Sequence, residues 1–261
     1  MLERFHTLGA DCLDVADIAL VVDVSGSIEG DGKYPGNFDR LVKPFIKAFA
    51  QRLNVVPAGV QIGMVTFGNS AVLQFGLTSD INQVIKNIDR FEYNREGEYT
   101  NTSGGIYIMR TQLLSPKDPI FRPKAAHIAV VITDGISNND HDFTIPYAKD
   151  AQNDGIIMLA VGVTNLLDLN ELVGIASPLA PFNITSLEKG IKNGVFTPSG
   201  TVAYVPEIAD LVEVVNQLVI HFKNTVCTYT RSKKCLIYLF IHSFVRFLIC
   251  TLKMGSNSEF S

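Results

Sequence analysis

The sequence predicts an α/β domain built on a doubly wound, mostly parallel sheet of six strands, with one antiparallel edge strand and helices on both faces. Three observations predict it. Continuous apolar, β-branched runs recur as Ile18–Val22, Ala126–Thr133 and Ile156–Val163, the pattern of strands buried on both faces. Stretches of helical spacing separate them, which calls for crossover connections. One tight hairpin signal, Gly68-Asn69-Ser70, splits two further strand candidates and predicts the antiparallel edge.

In chain order, 18–22 is the first central strand. Helical spacing runs over 38–53 (Leu41, Phe45, Ala48, Phe49, Leu53), with Asn37 as its N-cap and Pro44 costing a hydrogen bond or a bend. Strands at 60–67 and 71–77 flank the hairpin. Short helices follow at 80–88 and 103–114, the latter closed by Ser115-Pro116. After the strand at 126–133 come a helix at 144–153 ended by Gly155, a strand at 156–163 and a helix at 168–176. Residues 178–200, rich in Pro, Gly, Ser and Asn, read as a long surface loop. A short strand at 202–205 and a helix at 208–222 complete the pattern.

The chain has 261 residues, 47% of them hydrophobic and 18% charged, so it can bury a sizeable core. Its formal net charge is -4, and no basic stretch suits nucleic acid. Met1 to Ala10 holds no long apolar run, so no secretory signal is visible: either the protein is not secreted or the chain begins downstream of the true start. None of the four cysteines, Cys12, Cys227, Cys235 and Cys250, forms a C-x-x-C pair, which argues against zinc. Cys12 and Cys227 bracket the folded region. They are either a disulfide closing one domain or two unrelated thiols. The segments are a lead at 1–11, a domain at 12–227 and an atypical tail at 228–261.

Oxygen-bearing side chains gather where strands should end. Asp23-Val24-Ser25-Gly26-Ser27 follows the first strand, Thr100-Asn101-Thr102-Ser103-Gly104-Gly105 precedes a helix, and Thr133-Asp134-Gly135 follows Val130-Val131-Ile132. Extended residues two apart project to one side, so Asp23, Ser25 and Ser27 can converge. Singly, each residue reads as a cap or turn former. Together they suit a hard divalent cation: Mg²⁺, with Mn²⁺ and Ca²⁺ as alternatives. Two carboxylates and three neutral hydroxyls leave such an ion short of ligand charge, open to an anionic group from outside.

Asp-x-Ser-x-Ser, Thr-Asn-Thr and Ile-Thr-Asp-Gly in this order resemble the von Willebrand factor type A domain. That family includes integrin inserted domains, matrilins and collagen VI modules. The resemblance spans about Cys12 to Cys227 and implies a Rossmann-like fold. It also implies a metal-ion-dependent adhesion site made by Asp23, Ser25, Ser27, Thr100 and Asp134. Thr102 rivals Thr100, which is preferred because the family places its ligand at the first Thr. Asn37-Phe38 and Val65-Thr66-Phe67-Gly68 also fit the pattern. The resemblance further implies a Cys12–Cys227 disulfide and an extracellular, non-catalytic module. Its partner would be a protein presenting an acidic residue, such as collagen or another matrix protein. In the family, binding can shift the last helix between two positions.

Some features stand outside this pattern. Glu29, Asp31, Glu98, Asp140 and Asp142 read as a solvated acidic rim rather than a second cation site. His127 reads as a satisfied polar group and His141 as an exposed loop residue. Asn183-Ile184-Thr185 matches an N-glycosylation acceptor, which matters only in a secreted protein. Asn101-Thr102-Ser103 also matches, but its place in the site argues against a glycan. Residues 235–252 are apolar and near the minimum length of a membrane span, yet His242 and Arg246 interrupt them. A tail anchor is less favoured there than an amphipathic or partner-bound helix or a non-native end. The rival functions are an intracellular or membrane-associated, tail-anchored scaffold and a Mg²⁺-dependent phosphatase-like enzyme. The phosphatase would want Asp-x-Asp, and the second acid is Ser25. No G-x-S-x-G or P-loop motif occurs.

Overall fold

Every residue of strand β1 (Ala16–Asp23) is buried, because helices cover both of its faces. Alternate side chains therefore feed two separate cores. A computed structural model of the protein describes residues 15–29, 36–93, 99–164, 167–179 and 181–228. On one side Ile18, Leu20 and Val22 pack with Phe45, Ile46 and Phe49 of α1 (Lys43–Gln51), Val84 and Ile88 of α2 (Ile81–Arg90), and Leu211, Val215 and Leu218. On the other, Ala19 and Val21 join Ile106 of α3 (Thr102–Ile108), Ala148 and Ala151 of α4 (His141–Asn153), and Leu172 and Ile175 of α5 (Leu169–Ile175).

The sheet adds β2 (Val60–Phe67), β3 (Ala71–Thr78), β4 (Ala126–Thr133), β5 (Ile157–Val163), β6 (Thr197–Ser199) and β7 (Val202–Val205). Its order is β3-β2-β1-β4-β5-β7-β6. β1 pairs in parallel with both β2 and β4, so connectivity departs in opposite directions from this point. Ligands of open α/β sheets bind beyond such a switch point. β2 and β3 form the expected antiparallel hairpin, its turn closed by Gly68 N donating to Ser70 O at 2.9 Å.

The sheet has seven strands rather than six. The segment expected to be a loop at 178–200 contains α6 (Ile184–Asn193) and β6, and β6 pairs antiparallel with β7 at the second edge. Composition concealed this helix, but its ends are marked. Asn183 Oδ1 accepts from Ser186 N, and Gly194 closes it at a left-handed φ of 60°. The last helix, α7, covers 211–228 after a short 3-10 turn at Ile208–Asp210.

One local expectation fails for the first helix, and one is met in part. Asn37 is itself helical and makes no side-chain cap, because the chain already turns one residue earlier, where Arg40 N donates to Gly36 O. Pro44 meets its expectation in part: the chain is helical on both sides of it, and the residue without an N–H falls where a wide π-type turn over Phe38–Val42 passes into α1. His127 is satisfied as expected: Nε2 lies 3.0 Å from Arg122 O, and the ring stacks on Phe121.

At the end of the sheet where β1 begins, Asp17 is fully buried. It accepts from Arg122 Nε at 2.8 Å and from Arg122 N at 2.9 Å, and Arg122 Nη2 also reaches Ala16 O. The loop before β4 is thereby clamped to β1. Removing one partner of a buried pair leaves the other charge uncompensated. Arg122→Ala should destabilise the domain by about 3 kcal/mol, measured as a lower urea midpoint with an unchanged slope.

Candidate metal centre

Asp23 is the last residue of β1, and Thr133 is the last of β4, the next strand across. The parallel register pairs Val22 with Ile132, so the two chains leave the sheet side by side. Thr133 Oγ1 donates to Asp23 Oδ2 at 2.7 Å, and Ser25 N donates to Asp23 Oδ1 at 2.8 Å. A 3-10 turn at Gly26–Glu29 then folds the first loop back. This brings Ser25 Oγ within 2.9 Å of Ser27 Oγ, and Ser27 Oγ donates to Asp134 Oδ1 at 2.8 Å. Asp23, Ser25, Ser27 and Asp134 therefore form one continuous polar chain from two loops.

Thr100 arrives by another route. Its backbone N–H donates to Asn138 Oδ1 at 2.7 Å, and its carbonyl accepts from Asn138 N at 3.2 Å, which ties the second loop to the third. Asn101 caps α3, its Oδ1 accepting from Gly104 N and from Ser103 Oγ. Gly105 is needed one residue on. A Cβ there would stand 2.8 Å from the Phe67 ring, so only glycine lets α3 seat this close to β2. Thr100 is 3% exposed, and its hydroxyl bonds to none of the other four residues. Thr102, the rival position, is the first residue of α3 and fully buried, and its Oγ1 has no partner.

Asp23 and Asp134 are both almost completely buried, and among the described residues neither forms an ion pair with a basic side chain. Burial pushes Asp23 above the ordinary carboxylate range, against the bonds from Ser25 and Thr133. Burial and the neighbouring Asp23 charge push Asp134 up to about 7, eased by Ser27. Two desolvated acids with no cationic partner are an unbalanced arrangement that a divalent ion corrects. The oxygen spacing fits as well. An octahedral shell at about 2.0–2.1 Å sets neighbouring oxygens about 2.9 Å apart, close to the 2.9 and 2.8 Å found here.

The third loop has a support that the sequence did not announce. Ser137 N donates to Glu171 Oε1 at 3.1 Å and Ser137 Oγ to Oε2 at 2.7 Å. Thr144 Oγ1 donates to Ser137 Oγ at 3.0 Å, and His141 Nδ1 lies 2.9 Å from Glu171 Oε2. His141 is thus not a loop bystander. It opens α4 and pairs with a buried acid of α5. Thr164, beyond β5, donates to Asp134 O at 3.1 Å from a left-handed φ of 69°, a strained conformation for a β-branched residue. Asp140 and Asp142 are exposed, while Asp31, Glu98 and the Glu29 side chain lie outside the described residues. Among the described residues no three His, Cys, Asp or Glu side chains cluster around a second site.

The von Willebrand factor type A model matches residues 17–192, which include all five candidate ligands. The chain belongs to the von Willebrand factor type A domain family. It is 32% identical over 168 residues to the collagen alpha-6(VI) chain of Mus musculus, covering 62% of this chain and 7% of that one. It is 31% identical over 166 residues to matrilin-1 of Homo sapiens (62% and 30%) and 28% identical over 176 residues to cuticlin-6 of Caenorhabditis elegans (66% and 28%). The chain spans under a third of the length of each of these relatives. Among solved structures it resembles proximal thread matrix protein 1 of the mussel byssus, whose MIDAS motif is occupied by zinc. That match has a TM-score of 0.63 at 25% identity and covers 80% of this chain and 46% of the other. Manganese-loaded Plasmodium vivax TRAP protein shares the fold, with a TM-score of 0.58 at 16% identity over 80% and 74% of the two chains.

Three outcomes follow for this type A domain. Asp134 holds its proton up to about 7, so in metal-free protein its contribution to stability falls as pH rises from the ordinary 3.8 to about 7. Cation and proton compete for the same oxygens, and Asp23 is raised as well, so Mg²⁺ affinity measured by calorimetry should rise about tenfold or more per pH unit below 7. Glu171→Gln should keep the fold but weaken Mg²⁺ binding by about tenfold, the usual effect of losing an outer support.

Proposed function

We propose that this type A domain is a non-catalytic, divalent-cation-dependent protein-binding module of the extracellular matrix or of adhesion. Asp23, Ser25, Ser27, Thr100 and Asp134 would hold the cation, Mg²⁺ by preference, with Mn²⁺ or Ca²⁺ as alternatives. The observation that carries the reading is the pair of buried carboxylates without a cationic partner, from loops beyond adjacent central strands and bridged by Ser27. A bound divalent ion supplies a Lewis-acidic position that an acidic side chain of another protein can fill.

The chain's own residues account for the rest. Asp23 and Asp134 provide two negative charges, and the hydroxyls add oxygens without charge, so the site stays receptive to a third carboxylate. Thr133 and Ser25 N–H fix the Asp23 carboxylate in one orientation. The bond between Thr100 and Asn138 keeps the second loop against the third. Ser25 stands where a phosphatase of the aspartyl-phosphate type needs a second acid, so nothing in the site favours hydrolysis.

Matrilin, collagen VI, cuticlin and byssal relatives support an extracellular location. Cys227, at the end of α7, is disulfide-bonded, which fits an oxidising compartment. We assign its partner as Cys12, which lies outside the described residues, and take 12–227 as the domain. Residues 235–252, with Cys235 and Cys250, also lie outside them. Among the described residues no helix is long and apolar enough to cross a membrane.

The test is adhesion to immobilised matrix proteins, collagens included, in Mg²⁺ and in EDTA. Binding should appear only with the cation. Asp134→Ala should abolish it while leaving the circular dichroism spectrum unchanged. Full binding in EDTA would overturn the reading.

A further inference from the structure

Asn183 stands at the start of α6, in a run of six exposed residues, 181–186. Its side chain serves the fold with only one of its two polar atoms: Oδ1 accepts from Ser186 N at 3.1 Å. An N-linked sugar attaches to the other atom, Nδ2, and leaves a carbonyl oxygen to go on capping the helix. Thr185, the hydroxyl residue of the acceptor triplet, is exposed as well. Two flanking apolar side chains are open to solvent, Phe182 at 41% and Ile184 at 39% exposure. They are among the exposed large hydrophobic residues, and nothing in the described protein covers them.

The second acceptor triplet has the opposite surroundings. Asn101 is half-buried, and Thr102 and Ser103 are buried. Its Oδ1 accepts two bonds inside the second loop of the metal centre. Gly104 passes so close that a Cβ there would lie 3.0 Å from both Cγ and Nδ2 of Asn101.

Position in the sheet decides whether a sugar on Asn183 would obstruct the cation. Asn183 N donates to Ser199 Oγ at 2.7 Å, and Ser199 pairs with Val202, the first residue of β7. Val202 is level with Ala160, Val131 and Val21 in the parallel register, so Asn183 is set apart from the candidate ligands across the sheet rather than along the strands. The candidate ligands lie beyond the end where β1 and β4 finish, and β5 and β7 separate β4 from the β6 edge.

We propose that Asn183 is an N-glycosylation site that covers the Phe182–Ile184 corner of the α6–β6 edge and leaves the cation end free, whereas Asn101 stays bare. For the native protein this rests on the extracellular reading above. The acceptor assignment itself does not.

The experiment uses the full chain behind a cleavable secretion leader in insect cells, treated with peptide-N-glycosidase and analysed by peptide mapping. One glycosidase-sensitive step is expected, mapping to Asn183. Thr185→Ala should remove it without touching the helix cap, and Asn183→Asp should remove it while retaining a capping oxygen. Both variants should bind Mg²⁺ within twofold of the parent chain. A parent without the step, a step that survives Thr185→Ala, or a sugar on Asn101 overturns the proposal. Protein from its native source is mapped in parallel. Asn183 bare there but modified behind the leader refutes the extracellular reading and leaves the acceptor assignment standing.

Discussion

The parity of β1 is the constraint on which the other features depend. Because both faces of this strand are covered, Ile18, Leu20 and Val22 must point to one core and Ala19 and Val21 to the other. A slip of one residue would exchange large and small side chains between two close-packed layers. The same register fixes where the strand runs out of core, at Asp23. It also fixes that Thr133 of β4 arrives beside it. The acid is buried because the strand that carries it is buried. The site inherits its placement from hydrophobic packing.

What the fold concentrates at that point is uncompensated charge. Among the described residues, the other buried acids are paired with a basic side chain or held by backbone N–H groups. Asp17 is paired with Arg122. Asp118 accepts from Leu77 N and Ile120 N, and Glu171 holds Ser137 and His141. Asp23 and Asp134 instead face each other across two serines. The contrast within one protein separates a carboxylate used as a strut from one used as a receptor. The struts also serve the receptor, since Glu171 steadies the loop on which Asp134 sits.

The sequence made the central strands and the first loop readable because they break a strong pattern. Five apolar residues followed by acid, hydroxyl, hydroxyl at alternate positions have few structural readings, and the three-part motif narrows them to a family. Thr100 was legible only through that motif, since its hydroxyl makes no hydrogen bond to the other four residues. The contacts that shape the third loop were not legible. Ser137 and Glu171 are 34 positions apart and meet only once α5 has packed beside α4. Composition misled for α6, where Pro, Gly and Asn flank a helix. Asn37 misled because a wide turn had already begun before it. In both cases a local rule was correct about a residue type and wrong about which neighbour the tertiary structure would supply.

The direction of the chain through the sheet has a mechanical consequence. β1 enters at the end opposite the candidate ligands and finishes on Asp23, while the last turns of α7 lie over the beginnings of the strands, where Phe222 and Val226 share a cavity with Ile18 and Ile128. A load applied between a ligand held beyond Asp23 and the polypeptide leading into β1 runs along the strand axis. It is borne by the covalent backbone of β1 and by ladders of hydrogen bonds to β2 and β4 loaded together in shear, not opened one at a time. The strand that positions the site is thus also the line of tension through the domain.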